Sequence, residues 1–258
     1  MKSLMISLFL LCLSVSGFAQ KDTAVIRVMY DVCYQGNKYD DMELLVGNKI
    51  SKFYSLAKVR EKQKLDSVNR LANGEGYASI IKSLKANNKG EHFVGQEYVI
   101  YKHLPTDSML TYCTTYLLTH YKYEEGLSIA WKLCEDNDTI SGYHCCKAMV
   151  SHRGQVWIAW YAPDIPISDG PWKLCGLPGL ILKAETKNGG YRFACREITP
   201  SPEQIIEIDK EKATKISPKS MAKLENTHPV LYLHEVKGFP LPKGAIFPKN
   251  PYGAIESY

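Results

Sequence analysis

Residues 143–162 read YHCCKAMVSHRGQVWIAWYA, two apolar-rich runs on either side of Arg153-Gly154. An Xaa-Gly step between such runs is a hairpin signal, because tight hairpin turns need φ > 0 and Gly takes it without penalty. In the second run successive side chains alternate across the pleat. Trp157, Ala159 and Tyr161 therefore share one face, and Ile158 and Trp160 the other. Apolar residues on both faces predict cover on both, one by a core and one by a helical insert or a ligand.

The same texture extends in both directions. EYVIYKHL (97–104), MLTYCTTYLL (109–118) and LSIAWKLCE (127–135) precede the hairpin; GLILKAET (179–186) and YRFACREIT (191–199) follow it across Asn188-Gly189-Gly190. Strands joined by short turns predict a continuous antiparallel meander over 97–199 rather than parallel strands with crossovers. Near the start, AVIRVMYDVCY (24–34) places Ile26, Val28, Tyr30, Val32 and Tyr34 on one face. YDDMELLVG and KISKFYSL add two strands around Gly47-Asn48.

The period changes after residue 55. Leu56, Val59, Leu65, Val68 and Leu71 form a helical stripe, and YASIIKSLKAN (77–87) continues it beyond Gly74-Glu75-Gly76. At SPKSMAKLENT (217–227), Ser217 can cap a short helix and Pro218 suits its first turn. The tail GFPLPKGAIFPKNPYG (238–253) reads as irregular. The expected fold is mainly β: a curved antiparallel sheet or half-barrel meander, with a helical insert near 56–86 and a short C-terminal helix. With no internal repeat or linker, residues 20–258 read as a single domain.

The stretch SDGPWKLCGLPGLILK (168–183) breaks the apolar pattern with Gly176, Pro178 and Gly179. Pro at the second and Gly at the third position of Leu177-Pro178-Gly179-Leu180 predict a type II turn, with Gly179 at φ > 0. The turn would feed Leu180, Ile181 and Leu182 into a buried strand, a structural role.

Residues 1–20, MKSLMISLFLLCLSVSGFAQ, carry Lys2, an apolar run from Leu4 to Val15, and small residues before a cut after Ala19. That is the shape of a secretory signal peptide over residues 1–19, too short to span a bilayer. Cys12 lies inside the apolar run, so no lipoprotein site is evident. The expectation is an exported chain, periplasmic or secreted, with no transmembrane segment after cleavage. The charge balance of 32 Lys+Arg against 27 Asp+Glu is scattered along the chain, and no basic stripe with interleaved aromatics argues for nucleic acid.

Seven cysteines follow the leader: Cys33, Cys113, Cys134, Cys145, Cys146, Cys175 and Cys195. Exported cysteines tend to pair, and an odd count leaves one over. A hairpin centred near Thr139-Ile140 would set Cys134 opposite Cys145; a register one residue away would set it opposite Cys146 or His144. Cys175 is the alternative partner for whichever of Cys145 and Cys146 faces away. His144-Cys145-Cys146 is the densest Cys/His cluster, but no zinc-like spacing accompanies it, so no metal or other cofactor is expected.

Beyond these local readings, several runs resemble the signature of the GLPGLI family, exported proteins typical of Bacteroidetes-type bacteria. The features that carry the resemblance are I-x-G-Y-x-C-x-K-A at 140–148, with Gly142, Tyr143, Cys145 and Lys147, and the run at 153–167, with Trp160, Tyr161, Pro163 and Pro166. Gly170, Pro171 and Trp172 open G-P-W-K, and Gly176-Leu177-Pro178-Gly179-Leu180-Ile181 is the named core. Cys146 beside Cys145, and Cys175 directly before the core, depart from the pattern and leave room for a disulfide particular to this chain. The resemblance implies compartment and fold, and it supplies no catalytic residues.

The function expected on these grounds is non-catalytic. An exported binding or accessory protein of the cell envelope would hold a small apolar ligand, a peptide or an envelope protein between the sheet and the helical insert. Proteins that look like this one often accompany outer-membrane transport systems. The alternative is an envelope hydrolase, with Asp164 or Asp169 as acid and His144 or His152 as base. No G-x-S-x-G, H-E-x-x-H, G-x-G-x-x-G or P-loop is present to support it.

Overall fold

Three two-residue turns of the same kind each join a pair of consecutive strands. Gln35-Gly36 (φ +48° and +81°), Ser141-Gly142 (+52° and +83°) and Arg153-Gly154 (+53° and +74°) all place both residues in the left-handed region. That is the type I′ geometry, whose twist matches the twist of the strands it joins. The computed structural model describes residues 21–71, 95–103, 108–116, 119–227 and 255–256. The expected leader at 1–19, the expected second helical piece at 77–87 and the tail at 238–253 lie outside them.

The strands are β1 (Lys21–Tyr34), β2 (Asn37–Gly47), β3 (Ser51–Ser55), β4 (Val99–His103), β5 (Met109–Tyr116), β6 (Thr119–Gly126), β7 (Lys132–Ile140), β8 (Tyr143–His152), β9 (Gln155–Ala162), β10 (Leu180–Thr186) and β11 (Tyr191–Pro200). Two short ones, β12 (Ile205–Glu207) and β13 (Thr214–Lys215), add to β1 and β6. All belong to one open thirteen-stranded sheet in the order β13-β6-β5-β4-β3-β2-β1-β11-β10-β9-β8-β7. Every pairing is antiparallel except β13 with β6. The helices among the described residues are α1 (Leu56–Leu71) and α2 (Pro218–Glu225), the latter capped by Ser217, whose Oγ accepts from Ser220 N–H.

The mainly β architecture agrees with the sequence reading, but the single meander over 97–199 does not hold. β6 and β7 follow one another in the chain and sit near opposite edges of the sheet, so there are two meanders joined where β1 pairs with β11. LSIAWKLCE is not a strand throughout: 127–131 is an extended strap, and the ladder begins at Lys132. β6 (THYKYEEG) went unread between them.

This order dictates the shape. Twelve strands laid flat at about 4.8 Å spacing would separate the edges by roughly 50 Å. The strap from Gly126 to Lys132 reaches at most about 20 Å. The sheet must therefore curl until its edges come close, without closing.

The concave side holds the main core: Val28, Tyr30 and Val32 of β1, Met42 and Leu44 of β2, Phe53, Ile100, Leu110 and Phe193, with Trp157 and Trp172 fully enclosed. A smaller core on the other side gathers Ala24, Leu45, Ile50, Tyr101 and Ile206. Trp157, Ala159 and Tyr161 are buried, as expected. The opposite face of β9 is only half-buried. Trp160 there is covered by Lys183, whose Nζ stands 4.1 Å from the ring centroid.

Candidate functional site

The motif of 163–181 lies inside the curl, where it acts as a plug. Ile165 N–H donates to Ala162 O (3.1 Å), Leu180 N–H to Ile165 O (3.0 Å), Ile181 N–H to Asp169 O (2.9 Å) and Leu174 N–H to Pro171 O (3.1 Å). Gly170, Pro171, Trp172, Leu177, Leu180 and Ile181 are buried; Pro163, Asp164, Pro166, Gly176 and Pro178 reach the surface. Trp172 takes φ +52°, a costly conformation for a bulky residue. It is held by the Trp157 ring at 5.3 Å and by the edge of His152 at 6.1 Å.

Two glycines exchange the roles expected of them. Gly179 is not in the left-handed region; Gly176 is, at φ +89°. Gly179 is required by close approach instead, since a Cβ there would collide with the carbonyl of Ala162. At Gly170 a Cβ would come within 2.7 Å of the Ile181 side chain. The expected type II turn with Gly179 at φ > 0 is thus replaced by backbone packing of the plug against the end of β9.

Buried lysines fasten the plug to the other half of the sheet. Lys102 of β4, with no exposed surface, pairs with Asp169 and donates to Gly170 O (2.5 Å) and Leu174 O (3.4 Å). Lys173 of the plug reaches β6, donating to Tyr123 Oη (2.6 Å) and Glu125 Oε1 (2.8 Å), and also pairs with Glu256. Trp131 of the strap donates from Nε1 to Cys175 O at 2.7 Å.

The sequence-level acid–base pairs are not assembled. Asp164 and His144 are exposed, Asp169 is spent on Lys102, and His152 lies against Trp172. Burial, aided by Arg153 and Lys173, pushes His152 down to about 4.

The cysteine pairing is also corrected: all seven are free thiols. Gly142 moves the turn to Ser141-Gly142, so Asp138 lies opposite Cys145 and Asn137 opposite Cys146. A register break between Leu133 and Asn137 displaces Cys134 further. Lys147 pairs with Asp136 at 3.1 Å, and Tyr143 is half-buried at the head of β8. No cluster of His, Cys, Asp and Glu among the described residues is arranged to hold a metal.

None of these motif residues reaches the cleft that opens on the outer side of the sheet. This cleft, about 770 Å³, lies between α1 and the outward faces of β3, β4 and β5. Its position follows from the chain: β3 runs directly into α1, and Ser55 Oγ, at the junction, accepts from Lys58 N–H (3.3 Å) and donates to Asp40 (2.9 Å). Lys58 bridges Glu61 (2.8 Å) and Glu97 (2.5 Å), tying the first turn of α1 to the segment before β4.

Lys52 lies in the wall of the cleft. Its Nζ stands 4.6 Å from the Tyr54 ring centroid and 5.9 Å from that of Tyr101, and no carboxylate of the described residues is within ion-pair distance. Burial holds its pKa below the usual lysine value. Tyr54 Oη donates to Glu43, and burial then this contact push the phenol upward. Burial also raises the Cys113 thiol, to about 11. Charged groups of both signs, among them Lys62, Asp66, Asp209 and Glu211, line the rest. The cleft falls where a ligand was expected, between sheet and helix, yet it is polar and aromatic rather than an apolar trough. The alternating Lys52-Phe53-Tyr54 could have signalled it, for Lys52 and Tyr54 share the face opposite Phe53.

The fold and site define a class: an open, curled β-sheet domain with an internal plug and a cleft on its outer face. Within it, residues 150–183, running from the end of β8 through β9 and the plug into β10, match the family described as "Protein of unknown function (Porph_ging)". No curated protein matches the chain significantly. Among solved structures it is similar to PNGF-II in two crystal forms, P21 and C2, with TM-scores of 0.51 and 0.52 and 13% identity. The likeness covers 78% of this chain and 33% and 32% of PNGF-II, so the chain spans about a third of that protein's length. At this identity the likeness is one of fold.

Proposed function

We propose that the protein is an exported binding or accessory protein of the bacterial cell envelope and takes its ligand in the outer cleft. The observation that carries this reading is Lys52: an ammonium framed by two tyrosine rings in a 770 Å³ cleft, with no carboxylate partner among the described residues. A cation left unpaired in a half-buried wall is available to a ligand in a way a paired one is not. The leader-like residues 1–19 and the likeness of 140–181 to GLPGLI proteins support export, and a role beside outer-membrane transport fits that compartment.

The test is native mass spectrometry on protein purified from its own envelope, beside the Lys52→Ala and Tyr54→Ala variants. A small molecule or peptide bound to the wild type and lost from both variants supports the reading. A ligand that stays bound to both variants, or a wild type that carries none and gains no thermal stability from its envelope extract, overturns it. Cell fractionation with and without residues 1–19 checks export separately.

A further inference from the structure

Lys173 lies where four chain segments meet. Tyr112 of β5, Tyr123 of β6 and Trp172 of the plug set their ring centroids 5.3, 4.9 and 5.6 Å from its Nζ. Glu125 of β6 and Glu256 near the chain end bring two carboxylates to the same nitrogen. The side chains are 1% (Lys173), 10% (Glu125) and 7% (Glu256) exposed. A third carboxyl is close: Glu225 of α2 accepts from Tyr112 Oη at 2.6 Å and feels the charge of Glu256.

Glu125 engages Lys173 through Oε1 and Arg153 through Oε2, so it stands between the two cations. Glu256 comes from a different segment, 83 residues along the chain from the lysine, and reaches the cage through its own Oε1.

We propose that Lys173 and Glu256 condense in the folded protein into an intramolecular amide. The step balances without an oxidant or co-reactant. Glu125 takes a proton from the ammonium, and the freed amine attacks Cδ of Glu256. The C–N bond forms, a C–O bond breaks, and the departing oxygen leaves as water with the two protons the nitrogen gives up. Glu125 relays those protons and ends in its starting state. One positive and one negative charge disappear together.

In water the ion pair is favoured over the amide. In a dry, aromatic-walled cage each charge carries a desolvation penalty that the neutral amide does not, which moves the balance toward condensation. Glu225, whose pKa burial raises to about 7, adds an acid on the Glu256 side, where the carbonyl must be polarised. The bond would tie the chain end to the plug in a protein whose described cysteines are all free. This inference is independent of the reading of the outer cleft.

Intact-mass measurement on the denatured full-length chain tests it, together with proteolytic mapping. The expected result is a mass lower than the sequence by one water, and a branched peptide joining Lys173 to Glu256. Lys173→Arg and Glu125→Gln should both return to full sequence mass. Glu256→Gln should lose ammonia in place of water, since an amide can serve as the acyl donor. Wild-type protein at full sequence mass, with an unbranched peptide at Lys173, overturns the proposal whatever the variants do.

Discussion

Lysines stand both inside the curl and in the wall of the outer cleft, and the two regions treat them differently. Lys102 and Lys173 are enclosed with carboxylates at hand, Asp169 for one, Glu125 and Glu256 for the other. Lys52 has two aromatic rings and no such partner among the described residues. A buried cation that is fully paired fixes the positions of the segments it joins. One that is half-buried and unpaired is poised for something outside the chain. The plug is thus the part that holds the two halves of the sheet together, and the cleft the part free to bind.

The sharpest way to break this contrast is to remove one lysine from each region. Lys102→Ala leaves Asp169 buried and uncompensated, and should cost about 3–5 kcal/mol by denaturant unfolding. Lys52→Ala removes a half-exposed side chain without an ion pair, and its change should stay within about 0.5 kcal/mol. Comparable losses at both sites would erase the distinction.

The glycines of the plug sharpen it next. Gly179→Ala should cost about 2–3 kcal/mol, because the Ala162 carbonyl has no room to retreat. Gly176→Ala meets open space beside Trp131 and should lose only about 1 kcal/mol, from its φ of +89°. The reverse order, measured by the same unfolding, would restore the turn reading of Gly179.

A smaller effect is carried by pH. Glu225 titrates at about 7 in the fold against 4.5 for a free glutamate. Between those values the folded state binds more protons than the unfolded one, so this group makes stability fall as pH rises. His152, at about 4 against 6.5, acts with the opposite sign between pH 4 and 6.5. Asp40, raised to about 6 chiefly by burial, adds to the Glu225 trend below that pH. Above 6.5, Glu225 acts without opposition from His152. Glu225→Gln should therefore gain thermal stability relative to the wild type between pH 5.5 and 7.5. An unchanged difference in Tm across that range would mean Glu225 is ordinarily ionised in the fold.

Much of the fold was legible because it is written locally. Arg153-Gly154 specifies a turn within two residues, and the alternation of Trp157, Ala159 and Tyr161 specifies a face; Gln35-Gly36 and Ser141-Gly142 carry the same Xaa-Gly signal, and the second was missed by placing its turn near Thr139-Ile140. The failures come where the decisive contact is distant. LSIAWKLCE reads as a strand because its apolar residues face a core, yet Trp131 spends its Nε1–H on Cys175, far along the chain. The register of Cys134 was lost to a break that no residue pattern announces. Gly179 is shaped by Ala162 across the plug, which a four-residue turn motif does not contain. Lys102 and Lys173 carry no local sign of burial at all. The outer cleft was half legible, in its place between sheet and helix but not in its polarity.

Native-state hydrogen exchange reports on both regions at once. If the plug holds the sheet together, the amides of Leu174, Leu180 and Ile181, bonded to Pro171, Ile165 and Asp169, should exchange only through global unfolding. Their opening free energy should equal that from denaturant, while amides of α1 over the cleft exchange through smaller local openings. Exchange of 174–181 at low free energy, with the strands still protected, would show that the plug leaves without the sheet coming apart, and would contradict its role as the keystone.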